Sequence, residues 1–161
     1  MLITCLRHAT AEAHTDSVTD AQRSLIKKGE AQVLRVAEFC RKNALSPAVL
    51  FSSPLKRAEQ TASLFQIYLP DCPAVQLVDW LTLGSTPESI VAALRKLENQ
   101  NVNDVWLVGH EPDLSRLIGY LLNVSAEHMV IKKASLTRID VDFSDVSHAR
   151  LLWSIPCALM H

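Results

Sequence analysis

The sequence predicts an α/β protein: a three-layer α/β/α sandwich around a mostly parallel sheet with an antiparallel edge strand. Three observations carry this. Short apolar runs alternate with segments that bear a helical apolar stripe. Several of those runs stop abruptly at polar residues, as buried parallel strands do where they deliver side chains to a sheet end. Near the C-terminus two extended stretches follow each other with no helix between them, which gives an antiparallel hairpin. A length of 161 residues suits a single domain covering 1–161.

Residues 3–6 form the first apolar run, ending in Arg7-His8. Val33, Val36, Ala37 and Cys40 fall at i, i+3, i+4 and i+7, so a helix is expected over 30–41, entered through Gly29 and the polar stretch before it. A second strand is expected at Val49–Ser52. Ser53 then suits a helix N-cap, with Pro54 as first helical residue, because its missing N–H is not needed there. Leu55, Ala58, Ala62, Phe65 and Leu69 make the buried stripe of that helix, and Pro70 to Pro73 end it. Residues 74–78 are the third strand. Thr86-Pro87 repeats the cap-plus-proline signal before Ile90, Ala93, Leu94 and Leu97. Residues 105–108 form the most apolar strand, closed by Gly109-His110, and Leu114, Leu117, Ile118 and Leu121 line the next helix. Residues 136–143 alternate apolar and polar, and 150–155 supply the last strand.

Composition narrows the function. Apolar residues make up 48% of the chain, enough for a sizeable core. A net charge of -1 removes the general attraction that nucleic acid or an anionic membrane surface requires, so neither is expected as a partner and any basic site must be local. The four cysteines, Cys5, Cys40, Cys72 and Cys157, show no close pair and read as buried, reduced thiols. Arg7 and His8 come too early for a signal peptide, and no stretch approaches about 18 apolar residues, so the cytoplasm is the expected compartment.

In open α/β sheets ligands bind beyond the carboxyl ends of the strands. There this sequence places Arg7 and His8, then the segment leading to Arg57, then His110. Two arginines and two histidines at one sheet end make an anion pocket suited to phosphate, since guanidinium groups fork onto its oxygens. Cations around an imidazole should lower its pKa and keep a lone pair free to attack phosphorus. Metal-ligand spacings are missing, and arginines would repel a divalent cation, so no metal and no other cofactor is expected.

Three motifs in this order, L-R-H-A-T-A-E from Leu6 to Glu12, S-S-P-L-K-R-A-E-Q-T-A over 52–62 and V-G-H-E-P over 108–112, resemble the histidine phosphatase superfamily, with its phosphoglycerate-mutase-like fold. The short length, the segment 20–29 with Arg23-Ser24-Leu25, and G-H-E-P-D-L-S-R-L are similar to the SixA-type phosphohistidine phosphatase branch. The resemblance implies His8 as the nucleophile, Arg7 and Arg57 as clamps on the phosphoryl oxygens, and His110 as a hydrogen-bonding or charge-stabilising group. It also implies Arg23 as a further phosphate or substrate contact, unless its loop turns it outward.

Two departures stand out. Ala9 replaces the glycine of R-H-G, which is tolerable if its φ is negative. The glutamate that larger relatives supply as a general acid after the third strand is absent, and Asp79 is the one carboxylate there, a possible general acid. An alkoxide leaving group needs such an acid more than imidazole does, whose conjugate acid has a pKa of about 6.5. An acid-poor site should therefore prefer phosphohistidine to phosphoserine. The short stretch between Asp79 and Thr86 leaves no room for a capping insertion, so a shallow, open pocket able to admit a histidine on a folded protein is expected.

Glu59 and Glu111 read as helix-terminus charges, although Glu111 could orient His110. Lys132-Lys133 either adds charge to the pocket rim or is a solvated pair. His14, close to His8 in sequence, either lines the groove or, like His128, His148 and His161, is exposed and passive, and Trp80, Trp106 and Trp153 read as packing residues. The leading hypothesis is a two-step phosphatase acting on a phosphorylated signalling protein such as a histidine phosphotransfer domain. Its rivals are a phosphatase for small phosphomonoesters or anhydrides and a non-catalytic phosphate-binding module.

Overall fold

The computed structural model describes residues 1–14, 19–144 and 149–161. Six strands form one sheet: β1 (Leu2–Arg7), β2 (Val49–Ser52), β3 (Val75–Leu77), β4 (Asp104–Gly109), β5 (Leu136–Asp140) and β6 (Arg150–Ile155), in the order β3-β2-β4-β1-β5-β6. The first four strands in that order are parallel. β5 runs antiparallel to β1, and β6 runs antiparallel to β5, so the hairpin closes one side of the sheet as the alternating pattern implies.

Four helices cover it: α1 (Lys27–Lys42), α2 (Lys56–Tyr68), α3 (Pro87–Glu98) and α4 (Asp113–Leu122). The chain steps outward from β1 to β2 to β3 and then returns to β4. Right-handed crossovers therefore place α1 and α2 on one face, and α3 on the other. The two cores reflect this. Val33, Val36, Ala37 and Cys40 of α1 and Ala58, Ala62 and Phe65 of α2 pack on Leu6, Leu50, Trp106 and Val108. Ile90 and Leu94 of α3 and Leu114, Leu117, Ile118 and Leu121 of α4 pack on Ile3, Cys5, Phe51, Val105 and Leu107.

Several boundaries differ from expectation, each for a local reason. α1 begins at Lys27, so Gly29 lies inside it. A Cβ at Gly29 would stand 2.1 Å from the Thr10 carbonyl oxygen, and the missing side chain is what lets the helix pack on the segment after β1. α2 begins at Lys56 rather than Pro54, and Ser53 is not its cap, because Leu55 keeps an extended backbone and takes the cap position two residues later. Thr86 does cap α3, accepting from the Ser89 N–H with Pro87 in the first turn. In β5 the polar positions are buried too: β5 lies inside the sheet, where Arg138 donates to Thr4 and Asp104, and Thr137 pairs with Ser154.

Trp106 is fully buried and stacks on Phe65, Trp80 packs against Phe51, and Trp153 is half-buried beside the α1/α2 core. Cys5, Cys40 and Cys157 are buried, Cys72 is half-buried, and all four are free thiols. His14, His128 and His161 are exposed, while His148 lies outside the described residues. Among the described residues no helix is long and apolar enough to cross a membrane.

Candidate active site

Strand register assembles the site. Arg7 pairs with Gly109, and Ser52 pairs with Val108, so β1, β4 and β2 end at one level. The next backbone hydrogen bonds continue the ladder: His8 N–H donates to the Gly109 carbonyl and Ser53 N–H to that of Val108. His8, His110 and Ser53 therefore emerge side by side from three neighbouring strands. The two imidazole rings lie 5.2 Å apart between centroids, tilted by 52°.

His8 is fixed at both nitrogens. Its Nδ1 lies 2.8 Å from the Ala9 carbonyl oxygen, a contact that suits an Nδ1–H donor and leaves the lone pair on Nε2. Arg57 Nε donates to that Nε2 across 3.3 Å. Ala9 lies outside the left-handed region, as an alanine there requires, and its N–H donates to Thr61 Oγ1, which in turn donates to the Arg57 carbonyl. Thr61 thus ties the loop after β1 to the first turns of α2.

Burial is the first cause of the low basicity of this ring. It draws the His8 pKa down to about 4, with the charges of Arg57, Arg7 and Lys133 adding to the effect against the opposing Ala9 contact. The sequence pointed to the cations alone. For His110 burial again leads, followed by His8 and the arginines, and its pKa falls to about 3 despite the opposing charge of Asp20. Both rings are neutral near pH 7.

His110 Nε2 lies 2.8 Å from Ser53 Oγ, and its buried Nδ1 has no protein partner. Ser53 Oγ also accepts from the Leu55 N–H. Because Ser53 is fully buried, its single proton is best placed on His110 Nε2, which makes Nδ1 the protonated nitrogen and a donor for an incoming oxygen. Arg7 likewise keeps a buried Nε with no protein partner, while its other end donates to the Ile131 carbonyl at 2.6 Å.

Asp20 organises the arginines. Arg57 donates to its carbonyl at 2.6 Å and to Oδ2 at 2.9 Å, and Arg23 donates to Oδ1 at 2.7 Å. Partial burial works the other way, but the hydrogen bonds and charges of Arg23 and Arg57 hold the Asp20 carboxyl below the usual range. Arg23 therefore faces inward, with its Nε on the Glu12 carbonyl. The reading of the sequence passed over Asp20, although its position three residues before Arg23 is a legible ion-pair spacing.

Arg7, His8, Arg57 and His110 are thus brought together, with Arg23 one carboxylate further out. Asp79 is not among them: it is exposed on a short 3-10 turn, and its carboxylate makes no hydrogen bond or ion pair with described residues. Glu111 accepts from the Ser115 N–H, so it serves the start of α4 rather than His110. The side chains of the site are themselves well buried. His8, Arg57 and His110 are 6%, 3% and 1% exposed, although no insertion follows β3 and the turn at Gly84 is pinned to Asp113. Among the described residues no group of three or more His, Cys, Asp or Glu side chains is placed to hold a metal ion.

Residues 3–80 match the model of the histidine phosphatase superfamily, branch 1. An uncharacterized protein of Picosynechococcus sp. is 29% identical over 131 residues, covering 81% of this chain and 79% of its own length. Two solved structures share the fold. The protein histidine phosphatase SixA complexed with tungstate superposes with a TM-score of 0.87 at 21% identity, over 98% of each chain. The alpha-ribazole phosphatase of Shigella flexneri gives a TM-score of 0.76 at 18% identity, over 98% of this chain and 97% of its own.

Proposed function

We propose that this chain is a phosphohistidine phosphatase of the histidine phosphatase superfamily. In this reading it takes the phosphoryl group from a phosphohistidine on a protein and passes it to water. The observation that carries the reading is the His8 ring: neutral, held at Nδ1 by a backbone carbonyl, with Nε2 set among Arg57, Arg7 and the neighbouring His110.

In the first step the Nε2 lone pair of His8 attacks phosphorus. The bond between phosphorus and the substrate imidazole breaks, and the departing nitrogen keeps the electron pair and takes a proton from solvent. In the second step water attacks phosphorus, loses a proton to solvent, and the pair of the His8–phosphorus bond returns to Nε2. Arg7 and Arg57 clamp the equatorial oxygens in both steps, and His110 Nδ1–H donates to one of them. Arg23 meets the substrate around the phosphate.

The substrate class follows from acidity. Asp20 is held ionised by two arginines, and among the described residues no carboxyl group hydrogen-bonds to His8 or His110. Imidazole leaves with little acid help, whereas an alkoxide does not. Asp79, exposed after β3, is the carboxylate that would have to serve an ester substrate. We take the partner to be a signalling protein such as a histidine phosphotransfer domain. The free thiols suit a reducing compartment, and we place the reaction in the cytoplasm, within one catalytic domain.

The test is phosphate release from a phosphohistidine peptide and a phosphoserine peptide, by the wild-type chain and His8→Ala. Release from phosphohistidine alone, abolished in His8→Ala, is the expected result. Release from both peptides, lost for phosphoserine in Asp79→Asn, would make Asp79 a working acid and move the assignment to phosphomonoesters. Release from neither would leave a phosphate-binding module.

A further inference from the structure

A groove of about 660 Å3 opens beside the phosphate site and shares Arg7 with it. Lys28, Lys132 and Lys133 wall it, and the turn from Pro156 to Leu159 forms an apolar floor where Leu159 is 65% exposed. No carboxylate lines the groove, and none of the three lysines makes an ion pair among the described residues. In a chain whose net charge is -1, this is a local surplus of positive charge.

We propose that this groove is a docking surface for the acidic flank of the phosphorylated protein whose phosphohistidine reaches His8. The proposal deepens the phosphatase reading and rests on it for the catalytic measurement alone.

Three features fit a protein segment. The groove runs into the site through Arg7, so a chain whose histidine enters the pocket lays its neighbouring residues there. Its volume exceeds what a phosphoryl group fills and matches several side chains. Its apolar floor with a charged rim is the usual anatomy of a protein contact, unlike the continuous basic stripe that nucleic acid requires. The lysines also act on one another: burial first, then the charges of Arg7, Arg23, Lys28 and Arg57, hold the Lys133 ammonium below its usual range. Incoming carboxylates relieve that repulsion.

The experiment compares a phosphohistidine peptide flanked by glutamates with the same peptide flanked by glutamines. Both are given to the wild-type chain and to Lys28→Glu/Lys132→Glu, with thermal melting to verify folding. The expected kcat/KM advantage of the glutamate peptide is about tenfold at low salt, carried by KM; it disappears in the double variant and as ionic strength rises. Turnover of the glutamine peptide stays within about twofold.

Equal turnover of the two peptides by the wild-type chain overturns the proposal and leaves the phosphatase reading standing. Equal loss on both peptides in the variant also overturns it, because the lysines then serve the phosphate and not its flank. If neither peptide is hydrolysed, the phosphatase reading fails, and fluorescence anisotropy of the unphosphorylated peptides reads the groove directly. Tighter, salt-sensitive binding of the glutamate peptide that the variant loses supports docking, and indifference to flank charge sinks it. A preference for inorganic polyphosphate over the glutamate peptide would assign the groove to small polyanions instead.

Discussion

Arg57 Nε stands 3.3 Å from Nε2 of His8, so the atom read as the nucleophile is held by the group read as its phosphate clamp. The same guanidinium reaches Asp20 through its other two nitrogens. Three of the five N–H groups of the guanidinium are therefore directed at fixed partners and two stay free for phosphoryl oxygens, an arrangement that a point charge does not reproduce. Arg57→Lys should lower kcat/KM for phosphohistidine by about 1000-fold, nearly as much as Arg57→Ala, with the fold retained by circular dichroism. Substantial activity in Arg57→Lys would show that charge alone suffices.

Ser53 makes a finer prediction. If its hydroxyl holds the His110 proton on Nδ1, Ser53→Ala should lower kcat by about tenfold and leave KM within about twofold. The ring nitrogen shifts of His110, read by 15N NMR, should change from one dominant tautomer to a mixture. An unchanged tautomer with reduced kcat would mean that Ser53 only packs.

The depressed histidines set a pH window with a definite sign. His8 and His110 fall from an ordinary value near 6.5 to about 4 and about 3, so the folded chain resists protons that the unfolded chain takes up. Above about 6.5 neither state is charged and nothing is contributed. Between about 6.5 and 4 the unfolded state binds more protons, so stability should fall as pH falls. Melting curves between pH 7 and pH 5 should show this, and His110→Gln should flatten the slope. The kcat/KM, which reports the free enzyme, should persist as pH falls below 6.5 and drop only at about pH 4, where His8 takes up its proton. A stability that rises on acidification through this window would contradict the two assignments.

Gly29 tests the packing that seats the site. A methyl group there meets the Thr10 carbonyl at 2.1 Å, and backbone cannot move aside cheaply. Gly29→Ala should cost about 2 kcal/mol, measured by urea unfolding. The Thr10 shift should also displace the adjacent Ala9 and His8, lowering kcat. A variant as stable as the parent would show that the helix can slide.

The sequence alone determined the alternation of strands and helices, the apolar face of every helix, the strand ends followed by His8 and His110, and the segment after β2 that leads to Arg57. Those features are local: a stripe at helical spacing or a run that stops at a charge is legible wherever it stands. It also singled out Arg23 without deciding which way it faces. Tertiary structure decided what depends on residues distant in sequence. Ser53 reads as a helix cap until β4 brings His110 to its hydroxyl. Asp20 is an ordinary loop carboxylate until α2 places Arg57 against it. Thr137 and Arg138 are polar positions of an alternating stretch until the sheet brings Ser154 to the one and Thr4 and Asp104 to the other. The low basicity of the histidines comes first from burial, which no spacing records, because desolvation depends on everything packed around a group and not on its neighbours in the chain.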